Sequence, residues 1–126
     1  QMCIRDRSNQ WRFLLESSTA SVAIAEILAI PEVNERLIVS ILSLESYQFI
    51  GGPDFNALYS RSLPILWMSD DPVAIDRYCL DLINKERRKN GFDEVSNRNP
   101  QLLYASNVGL GFFDLELIEK RQLKKD

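Results

Sequence analysis

Three carboxylates fall close together at Asp70, Asp71 and Asp76, in the run Ser69-Asp70-Asp71-Pro72-Val73-Ala74-Ile75-Asp76. Carboxylates at the end of a strand can hold a divalent cation or work as general acid or base, depending on their burial. Each also has a purely structural role open to it. Asp71 precedes Pro72 and suits the N-cap of a helix, where its carboxylate accepts a free N–H and meets the positive end of the dipole. Asp70 can simply be solvated. Asp76 sits one turn into that helix, three residues after Val73 and four before Leu80, at the margin of the apolar face. A buried acid there needs a partner, a water or a metal, and local helix chemistry supplies none. Asp76 is therefore the candidate catalytic residue.

A second feature is Gly51-Gly52-Pro53-Asp54. Two glycines before a proline mark a turn and let backbone N–H groups close around an anion. Gly51, Gly52, Asp70 and Asp71 form the candidate ligand-binding set, for a small-molecule or anionic ligand at the ends of the strands.

The elements that must position these groups are legible in outline. Leu63 to Met68 is a short apolar run that predicts a buried strand, with Pro64 tolerable near its start. Pro72 fits the first helical position, Ile75, Cys79, Leu82 and Ile83 recur at helical spacing, and Asn90-Gly91 supplies a stop. Leu37 to Leu44 is β-branched and almost continuously apolar, as in a strand covered on both faces. These features predict an α/β domain with a mostly parallel sheet flanked by helices. Ligands of such sheets bind at the carboxyl ends of the strands.

Around this unit, residues 20–30 predict a helix ended by Pro31. Glu32 to Arg36 reads as a polar connection, and Glu45 to Ser62 as a long loop of the kind that often carries function. Pro100 to Asn107 predicts a short helix closed by Gly109. Asp114-Leu115-Glu116 reads as a turn and Ile118 to Leu123 as a final short strand.

The chain has 126 residues, 45% hydrophobic and 26% charged, which is the size of one small domain or part of a larger one. Its net charge of −3 argues against a nucleic-acid footprint. Lys85-Glu86-Arg87-Arg88-Lys89 is basic, but it falls where cations complement a helix C-terminus. With two cysteines and no histidine, neither a His-based acid–base pair nor a Cys/His zinc site can be assembled from this inventory. Cys79 reads as a small core residue. No stretch is long and apolar enough to span a membrane, and a cytoplasmic location is favoured, with export left open.

Gln1 to Arg7 fits no structural pattern. Its MCIRDR run resembles the in-frame translation of a transposon-end sequencing adaptor, a contaminant of environmental assemblies, and such a scar has no part in the fold. On that reading residues 8–126 are the C-terminal part of a longer α/β domain, and Trp11, Phe13, Leu14 and Leu15 face partners in the missing N-terminal part.

The ordered features have a counterpart. ERLIVSILSL, the Gly52-Pro53 turn, LPILWMS, the motif DDPVAID and the late NVGLGFFDLELIE run resemble the C-terminal half of the bacterial and archaeal family catalogued as domain of unknown function 362 (DUF 362). Ser69, Asp71, Pro72, Val73, Ala74, Ile75 and Asp76 fit that family's S-x-D-P-V-A-hydrophobic-D motif. Gly109-Leu110-Gly111 with Asp114-Leu115 fits its late G-L-G segment. The resemblance implies an α/β domain from a longer chain. It also shows a departure, because Ser40 stands where the family often carries an Asp in the first strand. Some relatives carry iron–sulfur motifs, but this chain has no such ligand cluster and no cofactor is carried over.

Two functions remain open on these residues. One is a ligand- or metal-binding enzyme domain with its site at the Ser69–Asp76 junction. The other is a non-enzymatic accessory or electron-transfer protein whose redox centre, if any, lies elsewhere in the full-length chain.

Overall fold

The computed structural model describes residues 17–51, 54–96 and 99–123. The adaptor-like segment, the Trp11–Leu15 cluster and the Gly52-Pro53 pair lie outside the described residues. In chain order the elements are α1 (Ser17–Ala29), α2 (Pro31–Asn34), β1 (Ser40–Ser43), β2 (Tyr47–Gln48), a 3-10 turn (Ala57–Tyr59), β3 (Ser60–Arg61), β4 (Leu66–Ser69), α3 (Pro72–Lys89), α4 (Pro100–Asn107) and a second 3-10 turn (Leu115–Leu117).

The strands overturn the expected parallel sheet. β1 pairs β4 antiparallel with Ser40 opposite Ser69 and Ser43 opposite Leu66, and β2 pairs β3 antiparallel with Tyr47 opposite Arg61. These are two two-stranded sheets, and together they are one long, broken hairpin. Leu44 bridges them, donating its N–H to Ile65 and accepting from the N–H of Leu63. Between the two ladders residues 44–46 face residues 62–65, one residue more on the second arm. Such an extra residue is a bulge, and Pro64, which has no N–H to give a ladder, falls inside it.

The reason for the difference is in the connection. A parallel pair needs a crossover, usually a helix, and residues 44–65 carry no helical period. Instead Gln48 closes the hairpin on itself, its Nε2 donating to the Asp54 carbonyl at 3.1 Å and its Oε1 accepting from the Asn56 N–H at 2.7 Å. The segment expected to be a long functional loop is therefore the far half of the hairpin.

Neither apolar strand is covered on both faces. Side chains alternate across the pleat, so Leu42, Trp67 and Ser69 turn inward while Ile41 (58% exposed), Leu66 (58%) and Met68 (63%) turn outward, with Ile38 (83%) just ahead of them. Continuous apolarity was the signal for a doubly covered strand, and here half of it faces outward.

The two helices after the hairpin form as expected, whereas part of the polar connection expected over Glu32 to Arg36 is the short helix α2, with Pro31 in its first turn. α3 starts at Pro72 and closes at Asn90, with Gly91 in the left-handed region at φ +75°. α4 runs over Pro100–Asn107, capped by Asn99 and followed by Gly109 at φ +83°. The main core joins Ala25 of α1, Val73 and Leu80 of α3, Leu102 and Ala105 of α4, and Leu110. Ala25 and Ala105 are small, which lets α1 and α4 lie close together. A second cluster packs Phe49, Tyr59 and Phe92 edge to face, with the Arg61 guanidinium 4.7 Å above the Phe49 ring.

Two polar devices tie the outer segments to α3. Asn84 is 1% exposed and holds Val95 by both backbone groups, donating to its carbonyl at 3.0 Å and accepting its N–H at 2.8 Å. Arg87 donates to the Phe49 carbonyl at 3.1 Å, fixing the hairpin's outer half on the C-terminal end of α3. The expected final strand over Ile118 to Leu123 does not form; this stretch is unpaired chain lying beside β4.

Candidate functional site

The junction is built from Ser69 upward. The Ser69 hydroxyl accepts the Asp71 N–H at 3.0 Å, which turns the chain out of β4. Asp71 then caps α3: its Oδ1 accepts the Ala74 N–H at 2.8 Å. Its other oxygen, Oδ2, accepts the Phe112 N–H at 2.7 Å. Gly111 lies against the same carboxylate, and a Cβ at that position would overlap it. Asp71 thus spends both oxygens joining the start of α3 to the 109–112 loop. It is a structural clamp, not a free ligand group.

Of the candidate set, Gly51 is not brought together with Asp70 and Asp71. Asp70 is exposed on a shallow groove shared with Asp71 and the Gly109–Phe112 segment. Gly51, at φ +78°, belongs to the turn of the outer hairpin. Phe49, two residues earlier, is held by Arg87. Asp71 and Arg87 sit sixteen residues apart along α3, a rise of about 24 Å. The glycine turn and the acidic junction therefore occupy opposite ends of that helix. Gly52 is outside the described residues.

Asp76 is placed differently. One turn into α3 it stands on the wall of a cleft of about 590 Å³ lined by Leu28 of α1, Val33 of α2, Arg36 from the segment after α2, Ser40, Ile41 and Leu42 from β1, and Pro72 and Ile75. A smaller cavity of about 70 Å³ between α1, α3 and α4 shares Leu28, Pro72 and Asp76 with it. Ser40 thus lines the same cleft as Asp76.

The Asp76 carboxyl reaches solvent on one side, while the packed protein on the other withholds water from it. That desolvation raises its pKa above the ordinary aspartate value. Among the described residues it has no hydrogen-bond or ion-pair partner. Burial, and then the nearby Asp76 charge, push the Cys79 thiol up as well, so that group is protonated at neutral pH rather than a thiolate nucleophile. Among the described residues no three Cys, Asp or Glu side chains gather closely enough to hold a metal ion.

Two groups were not singled out in the linear pattern. Lys120 places its ammonium 5.5 Å from the ring centres of both Trp67 and Tyr78, beside a cavity of about 140 Å³. Its place in a segment expected to be a strand concealed it, although the nearby aromatic pair offered a site for a cation. Arg77 lies 5.1 Å over the Phe113 ring, with Nε and Nη1 buried and, among the described residues, without a hydrogen-bond partner. At the helical spacing of Val73 and Leu80, its phase alone marked it as facing the core.

Compared with protein-family models, curated proteins and solved structures, the chain finds no match in any of the three. Among the described residues, no helix is long and apolar enough to cross a membrane.

Proposed function

We propose that this mixed helix and antiparallel-strand domain binds a small molecule in the cleft between α1–α2, β1 and the first turns of α3, with Asp76 as its polar anchor. The reading replaces a site spread across Gly51, Asp70 and Asp71. One observation carries it: an unpartnered carboxylate, raised by desolvation, stands on the wall common to two cavities. Ligand pockets are mainly apolar with a few placed polar groups, and volumes of about 300–1,000 Å³ are usual for them. An acid with a raised pKa in such a place suits either a strong polar contact or proton transfer. The order of motifs shared with DUF 362 agrees with a site here, since both its strand position, Ser40, and its helix acid, Asp76, face this cleft.

The test is a small-molecule screen by thermal shift on the parent protein and on Asp76→Asn. A compound that raises the parent's Tm and leaves the variant's unmoved, with the variant starting at or slightly above the parent's Tm, supports the reading. Compounds that stabilise both proteins equally, or perturb only residues near Gly51 and Asp70, count against it.

A further inference from the structure

We propose that the cleft's ligand is an organic cation, an alkylamine whose hydrocarbon body lies along the apolar wall and whose ammonium meets Asp76. This names the substrate class of the site proposed above and rests on that proposal.

Leu28, Val33, Leu42, Pro72 and Ile75 present hydrocarbon to the cleft. An apolar body placed there removes water from both surfaces, which is favourable by about 25 cal/mol per Å². The same step removes water from Asp76. A neutral or anionic guest takes water from that carboxylate and gives it no counter-charge in return. An ammonium supplies the missing charge and up to three donors, and charge-assisted hydrogen bonds are roughly twice as strong as neutral ones. Asp76 has donors from no described neighbour to compete with this.

The other polar groups on the cleft fit the same guest. Ser40 offers a hydroxyl that can accept from an ammonium. Arg36 is the one cation on the wall, and it lies on the exposed lip, where solvent and salt screen it.

Calorimetric titration of the full chain with hexylamine, hexanol and hexanoate separates the possibilities. Hexylamine is expected to bind roughly tenfold or more tightly than hexanol, with no binding of hexanoate. Asp76→Asn is expected to erase the amine's advantage while melting at or slightly above the parent's Tm. Ile41→Arg, on an outward strand position that also lines the cleft, is expected to weaken hexylamine and hexanol together. It tests the site even if the Asp76 variant fails to fold. Hexanol or hexanoate binding as tightly as hexylamine, and lost in Ile41→Arg, overturns the amine class and leaves the cleft as a ligand site. No binding by any of the three, or hexylamine binding unaffected by both variants, overturns both readings.

Discussion

The carboxylate of Asp71 occupies the space that a side chain on Gly111 would need. The two residues are forty positions apart, and their fit joins the start of α3 to the segment after α4. Gly111→Ala is expected to cost about 1–3 kcal/mol, because a methyl forced into a filled space displaces its neighbours. Asp71→Asn separates the two bonds. Its amide oxygen can still cap Ala74, while its NH₂ group cannot accept from Phe112, so a loss of about 1 kcal/mol is expected. Asp71→Ala loses the cap as well, for a total of about 2 kcal/mol. Urea denaturation of the three variants checks the order.

Arg77 carries the opposite expectation. Among the described residues its Nε and Nη1 lie buried without a hydrogen-bond partner, and the Phe113 ring faces its guanidinium. An unsatisfied buried polar group costs about 1–3 kcal/mol, while an aromatic contact returns about 0.5–2 kcal/mol. Arg77→Met keeps the packing and drops the desolvated charge. The variant is expected to be as stable as the parent or more stable by about 1 kcal/mol, measured as the urea midpoint at unchanged slope.

The pH dependence of Asp76 follows from its raised pKa. An acid whose folded-state pKa lies above the unfolded value binds its proton more tightly when folded, so folding is favoured at low pH. That contribution is fully present below the ordinary value of 3.8 and is lost as pH rises through the raised folded value. Asp76→Asn has no such dependence. Its stability relative to the parent is expected to rise with pH across that window. With the carboxyl partly open to solvent, the gain at pH 7 is small, about 0.5 kcal/mol or less. Paired melts at pH 4 and pH 7 give the sign.

The outward face of the first hairpin is expected to tolerate charge. Ile41 and Met68 sit opposite each other and are both more than half exposed. Met68→Lys is expected to change stability by less than about 0.5 kcal/mol and to lower the fluorescence of a bound hydrophobic dye. A large loss of stability would mean that this face is covered in the folded protein.

The helices and the cap at Asp71 were legible because the signals are local. Pro72 and Pro100 mark first turns, Gly91 and Gly109 mark ends, and the side chains that close each helix lie within a few residues of it. Strand direction was not legible. Leu37–Leu44 and Leu63–Met68 are apolar in either pairing, and the choice rests on Gln48 closing the hairpin and on a bulge at Pro64. Parallel pairing would also have gathered Gly51 and Asp71 at one end of the sheet; the antiparallel hairpin carries them to opposite ends of α3. Asp76 was legible as an acid out of place on its helix. Its cleft was not, since the facing walls come from α1, α2 and β1, more than thirty residues away in the chain.

A ¹³C NMR titration of the Asp76 carboxyl, in the free protein and with hexylamine present, tests the pairing of this acid with an ammonium. The expected pKa lies above 3.8 in the free protein and moves down when the amine pairs with the ionised form. An ordinary aspartate pKa that does not respond to hexylamine would contradict this pairing.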